Sequence, residues 1–273
     1  MLGIFITAAY PSLESSVKAL KVLHEEKVSL IELGIPFSDP LADGPVIQNA
    51  SFQALKNGIN IDGIFSLIEQ ARAELNLSLV SSSFGLNNLI LFTYYNPVFV
   101  YGLDKLAKKA ASLGVKGLLI PDLPVDEAES VSATLKSYGL TLTLLAAITS
   151  TEERIKRIAE LSEPFIYLVS RVGITGSNTD VQKWQANNNQ GADNNLLQEA
   201  LLEKIAFLRK YAPDKPIGLG FGIDSPEKVS ETLKAGVDLA IVGTKAIRVL
   251  EEDKSLDLSS FRDFIKALTS WYE

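Results

Sequence analysis

A chain of 273 residues, 47% of them hydrophobic, is long enough to bury a large core, and its net charge of −7 lacks the basic footprint needed for nucleic acid or an anionic membrane. With no cysteine and a single histidine, His24, it has no disulfides, thiolate nucleophiles or cysteine-ligated zinc, and almost no parts for a histidine triad or a multi-histidine metal site. Acid–base chemistry therefore falls mainly on carboxylates.

Gly3–Thr7 is the first apolar run of strand length. Ala8-Ala-Tyr-Pro11 follows it in place of a Gly-x-Gly-x-x-Gly turn, so a dinucleotide site of the usual kind is unsupported. Val17, Leu20 and Leu23 then recur at helical spacing; His24 borders that stripe and reads as a helix-surface histidine. Ser29–Leu33 is the second strand. Side chains alternate along a strand, so Ile31 and Leu33 face outward while Leu30, Glu32 and Gly34 face inward. A carboxylate among strand residues is costly to bury, so Glu32 is either neutralised by a core partner or used in proton transfer. In the following loop, Asp39 is weak evidence alone and Asp43-Gly44 has the form of an ordinary turn.

Leu79–Asn88 is a long polar link into strand three, Leu89–Thr93, which is followed by the aromatic segment Tyr94–Tyr101. Gly117–Ile120 is strand four; Asp122 lies just beyond it, and Asp126 reads as a charge at a helix start. Leu140–Leu145 and Phe165–Val169 are strands five and six, and a polar loop at about 176–195 follows. Loops of that length within a compact domain are often lids, and this one leaves the strand end where barrel enzymes keep their sites. Ile217–Gly220 is strand seven, within the glycine-rich run Gly218-Leu-Gly-Phe-Gly-Ile-Asp-Ser-Pro226. Leu239–Val242 is strand eight, and Gly243-Thr-Lys-Ala-Ile247 then opens a helix. Glycine turns in these two units, one of them at a helix start, fit the phosphate site of a barrel. Lys245 either adds charge there or forms a Schiff base; its place in helix-opening sequence favours a solvated lysine.

Eight near-continuous apolar strands, each followed by a helix candidate, predict an α/β fold: a single (β/α)8 TIM barrel over 1–273, with an open doubly wound sheet as the alternative. No apolar run reaches the ~18 residues of a membrane span, and the N-terminus lacks a signal-peptide layout. The expectation is a cytoplasmic protein (stromal if plastid-encoded) that acts on small molecules or proteins, with neither membrane nor nucleic acid as partner.

The block Glu32-Leu-Gly-Ile-Pro-Phe-Ser-Asp-Pro-Leu-Ala-Asp-Gly-Pro45 resembles the most diagnostic stretch of the tryptophan synthase α subunit family. Tyr95-Asn-Pro97, Pro121-Asp-Leu-Pro124, Ser170-Arg-Val-Gly-Ile-Thr-Gly176, Gly220-Phe-Gly-Ile223 and Val242-Gly-Thr244 follow in the family's order. The chain departs from that pattern at Ala9-Tyr-Pro11, where Gly-Asp-Pro is common, at Thr244, where serine is usual, in the longer asparagine-rich loop after strand six, and in lacking the helix that usually precedes strand one.

The resemblance implies retro-aldol cleavage of indole-3-glycerol phosphate to indole and glyceraldehyde 3-phosphate, with no cofactor and no metal. By the same resemblance, Glu32 is the general acid–base group and Asp43 accepts or stabilises the indole N–H proton. Phe5, Phe92 and Leu119 contact the indole, Tyr167 and Thr175 orient substrate and close the lid, and Gly176, Gly222, Gly243 and Thr244 bind phosphate. Arg171 belongs to the hinge of the mobile loop or to a surface ion pair. The implied partner is a tryptophan synthase β subunit, as two α and two β chains, with Val98 and Phe99 among its anchors. The alternatives are a noncatalytic, partner-activating subunit and another phosphosugar aldolase or isomerase.

Overall fold

The computed structural model describes residues 1–77, 84–169, 193–220 and 222–270, with side chains in the third stretch from 199 onward. Its strands are β1 (Leu2–Thr7), β2 (Leu30–Gly34), β3 (Leu89–Phe92), β4 (Gly117–Leu119), β5 (Thr141–Ala147), β6 (Ile166–Val169), β7 (Ile217–Leu219) and β8 (Leu239–Val242). All pair in parallel, in sequence order, and β8 returns to β1 to close the barrel. The closed barrel, rather than an open sheet, is thus the architecture, and the strand ends differ from the sequence expectation by one or two residues.

The crossovers carry α1 (Leu13–Glu25), α2 (Pro45–Lys56), α3 (Ile61–Glu74), α4 (Tyr95–Tyr101), α5 (Leu103–Ser112) and α6 (Ala128–Ser137). Beyond them lie α7 (Glu152–Leu161), α8 (Asp193–Tyr211), α9 (Pro226–Lys234), α10 (Thr244–Glu252) and α11 (Ser259–Thr269). Start signals are local: Ser12 accepts from the Ser15 N–H at 3.0 Å to cap α1, and Asn60 accepts from the Gly63 N–H at 2.8 Å to cap α3. The predicted polar loop at about 176–195 lies outside the described residues as far as 192; residues 193–195 already belong to α8.

Strand alternation divides the core in two. Leu2, Ile4, Ile6, Ile31, Leu33, Leu89 and Leu91 pack outward with the helices, whereas Leu30, Ile90, Leu119, Phe165, Tyr167, Leu239 and Ile241 fill the barrel's interior. Glu32, one step along from Ile31, shares the inner face with Leu30. Parallel register sets Phe5 beside Glu32 and Glu32 beside Ile90, so the carboxyl stands in a ring of apolar neighbours.

Two expectations need correction. Val98 is no exposed anchor: residues 95–101 form α4, and Val98 is its buried side, 0% exposed, while Phe99 is 69% exposed. His24 is half-buried rather than on the surface, its ring stacked on Phe84 at 5.4 Å and its Nδ1 buried. The polar link before β3 covers it, a contact that helical periodicity alone cannot reveal.

Candidate active site

Glu32 is 1% exposed, and neither carboxyl oxygen has a hydrogen-bond partner among the described residues. Burial pushes its pKa up to about 8, because the low-dielectric interior disfavours the charged form. Near pH 7 it therefore holds its proton, which resolves the cost of burying it: the group is kept as a neutral acid.

Asp43 reaches the chamber from the loop after β2 and is also buried. Its Oδ2 accepts from the Tyr94 hydroxyl at 2.9 Å, and the same hydroxyl oxygen accepts from the Ala42 N–H at 3.0 Å. Gln48 Nε2 donates to the Asp43 carbonyl oxygen at 2.9 Å, and the Asp43 N–H donates to the Pro40 carbonyl at 3.0 Å. Asp43-Gly44 is therefore more than a turn. Burial raises the Asp43 pKa to about 6, with the Tyr94 hydrogen bond pulling the other way. The two carboxyls are thus held in different protonation states at neutral pH.

Tyr167 stands on the inner wall, its pKa raised well above the usual value by burial first and then by the Glu32 and Asp43 charges. A Cβ at Gly220 would lie 1.7 Å from the Tyr167 hydroxyl oxygen, so glycine there makes room for the phenol. Phe5 and Phe92 meet edge to face, ring centroids 5.3 Å apart, and fully buried Leu119 lies in the inner cluster on which Phe92 packs. Gly34 accommodates the Phe5 ring, whose Cζ would lie 2.6 Å from a Cβ there. Together these groups form an apolar, largely aromatic lining around a proton-bearing carboxyl.

Gly222 has φ +69, the left-handed region, and no atom of the described residues stands within 4 Å of where its Cβ would be. Gly243 precedes α10 without a side-chain cap, and Thr244 begins the helix, so first-turn N–H groups offer donors to an anion. A Cβ on Gly243 would lie 3.6 Å from Phe5 Cβ, which sets the helix start against the aromatic lining. Lys245 is half-buried in the first turn of α10, off the strand. Asp39 and Asp122 are exposed outside the chamber, Asp122 Oδ1 accepting from the Tyr95 N–H at 2.8 Å at the start of α4. Thr175, Gly176 and Arg171 lie outside the described residues.

Tyr94 as the partner of Asp43 escaped the sequence. Its signal was there: Ile90, Phe92 and Tyr94 continue one inward alternation, which carries a hydroxyl to the barrel mouth. Tyr10, within the departure Ala9-Tyr-Pro11, packs with Phe5, Ile47, Ala50 and Ile247, residues of β1, α2 and α10. It thereby ties α10 to α2, the helix that Asp43-Gly44 leads into.

The model of the tryptophan synthase alpha chain family matches residues 2–269. The tryptophan synthase alpha chain of Cyanothece sp. is 42% identical over 265 residues, covering 97% of this chain and 89% of that protein. That of Thermosynechococcus vestitus is 40% identical, covering 97% and 89%. Among solved structures, tryptophan synthase of Mycobacterium tuberculosis superimposes with a TM-score of 0.79 at 29% identity, covering 98% of this chain and 90% of that one. A chain of the a2b2 complex of Pyrococcus furiosus tryptophan synthase gives 0.77 at 27% identity, covering 98% and 96%.

Proposed function

The chain belongs to the tryptophan synthase alpha chain family, and on that premise we propose which of its residues perform the alpha reaction. That reaction is the cleavage of indole-3-glycerol phosphate to indole and glyceraldehyde 3-phosphate, a carbon–carbon lyase step in tryptophan biosynthesis. Glu32 carries the assignment: a buried, proton-bearing carboxyl without a partner among the described residues, within an aromatic lining.

Breaking the bond requires that indole C3 gain a proton and that the glycerol hydroxyl beside the breaking bond lose one. Protonated Glu32 delivers its proton to C3, and positive charge then spreads to the ring nitrogen. Asp43, ionised above about pH 6 and steadied by Tyr94, accepts the indole N–H and stabilises that charge. The Glu32 carboxylate next takes the hydroxyl proton as the carbon–carbon electron pair returns to the ring, which leaves Glu32 protonated for the following turnover. Phe5, Phe92 and Leu119 sandwich the indole, and Tyr167 orients the substrate from the inner wall. Gly222, Gly243 and Thr244 take the phosphate through backbone N–H groups and the α10 dipole, joined by Thr175 and Gly176. The whole of 1–273 acts as one barrel domain, in the cytoplasm; among the described residues no helix is long and apolar enough to cross a membrane.

A tryptophan synthase β subunit is the partner, in an assembly of two α and two β chains. The face is the mouth beside α4, where Phe37, Leu41, Tyr94 and Asn96 line a hollow with Asp39 and Asp122, and where Phe99 and Val100 stand exposed. Exposed aromatic and aliphatic side chains next to carboxylates suit an interface with an apolar centre and a charged rim. Mass measurement of the mixed subunits tests the stoichiometry: a stable one-to-one pair would contradict it.

Release of indole from indole-3-glycerol phosphate, followed with and without a β subunit, tests the function. Slow release by the chain alone, accelerated by the partner, is expected. No release under either condition, with the partner's own reaction still stimulated, would leave a noncatalytic activating subunit.

A further inference from the structure

β1 presents Leu2, Ile4 and Ile6 to the helices, so Phe5 and Thr7 share its inner face. Thr7 is 2% exposed, and its Oγ1 has no hydrogen-bond partner among the described residues. Among the described residues, the other buried side-chain oxygens in that state are the two of Glu32. Register fixes how these groups relate. Phe5 lies opposite Glu32 and Thr7 opposite Gly34, so Thr7 stands one inward position nearer the mouth than Glu32. On its other side β1 runs beside β8, with Ile4 paired to Val242, and Phe5 touches the position of Gly243. Thr7 thus faces the space between the Glu32 wall and the amino end of α10.

Valine has nearly the shape of threonine and is equally suited to a strand, whereas a buried hydroxyl without a partner costs free energy. A threonine here becomes favourable when its partner arrives with a ligand. A substrate with its ring against Glu32 and its phosphate at α10 draws its three-carbon chain across this gap. We propose that Thr7 is a substrate-binding residue whose hydroxyl pairs with a hydroxyl of the glycerol chain, and so distinguishes glycerol-bearing ligands from their deoxy analogues. This rests on the assignment of the chamber to indole-3-glycerol phosphate.

Binding is measured in a Glu32→Gln background, where substrate persists uncleaved, against two probes: indole-3-glycerol phosphate and indole-3-propyl phosphate, which keeps ring and phosphate but has no chain hydroxyl. Thr7→Val weakens the first about tenfold, as loss of one hydrogen bond requires, and leaves the second unchanged. Thr7→Ser, which retains the hydroxyl, stays within about threefold of the parent for both. The melting temperature of Thr7→Val is equal to or above that of its parent, since an unpaired polar group is removed. Equal weakening of both probes would show Thr7 to be merely structural, and no weakening of either would show its hydroxyl to be idle; each overturns the proposal while the chamber assignment stands. A parent that binds neither probe removes the chamber assignment and this proposal together.

Discussion

At Glu32 and Asp43, burial separates two side chains of nearly equal ordinary acidity, one to about 8 and the other to about 6. Turnover by protonated Glu32 and ionised Asp43 therefore gives a bell-shaped kcat/KM, with an acid limb near Asp43's value and a basic limb near Glu32's. Tyr94→Phe removes the hydrogen bond that favours the Asp43 carboxylate, so its pKa rises and the acid limb moves to higher pH by roughly 0.5 to 1 unit. An unmoved acid limb would detach Tyr94 from Asp43's titration. Stability gives an independent readout. Glu32 binds its proton more tightly folded than unfolded, so the folded state loses stability as pH rises from the unfolded value of 4.5 to about 8. Glu32→Gln cannot titrate, and its stability relative to wild type should climb through that window by on the order of a few kcal/mol. A flat difference in pH-dependent denaturant melts would contradict the raised value.

At the scale of elements, α4 and α10 divide two tasks. Val98 is sealed beneath α4 whereas Phe99 is exposed, so Phe99→Asp should weaken β-subunit binding by about tenfold or more and change stability by under ~0.5 kcal/mol. Val98→Asp should instead cost about 3 kcal/mol or more, as a carboxylate forced into the core. Titration calorimetry and thermal melts separate the two; equal affinity of Phe99→Asp and wild type would remove that face from the interface. At α10 the protein has room for a Gly243 side chain beside Phe5 where the anion does not. Gly243→Ala should weaken substrate and inorganic phosphate together while the fold persists, and unchanged binding of both would move the phosphate elsewhere. Strands and inward alternation were legible in the sequence because each is a local property of apolar spacing. The burial of Val98 on the inner side of α4 was not legible, because an aromatic run bounded by Tyr-Asn-Pro lacks clear helical periodicity. The cover over His24 was invisible because it depends on a contact between α1 and a distant link.

At the scale of the molecule, closing the barrel brings β1, β2, β3 and β6 around one chamber, with the α10 start at its edge, joined through Phe5. Glu32 was legible as a candidate because a charge in an apolar strand stands out in one dimension, whereas Asp43, in what has the form of an ordinary turn, was a candidate only through the family resemblance. Tyr94, whose hydroxyl holds Asp43, and Thr7, whose hydroxyl is unpaired among the described residues, were not legible, since each is defined by a neighbour or the lack of one in three dimensions. Separation of function among the parts predicts that one atom change on the wall can stop chemistry without loosening the whole. The direct measurement is indole release by Glu32→Gln against wild type, with substrate binding and the melting temperature recorded for the same preparations. Turnover lost by about a thousandfold or more, with binding and folding retained, is the predicted result; turnover within a few fold of wild type would contradict the role of Glu32 as the proton carrier.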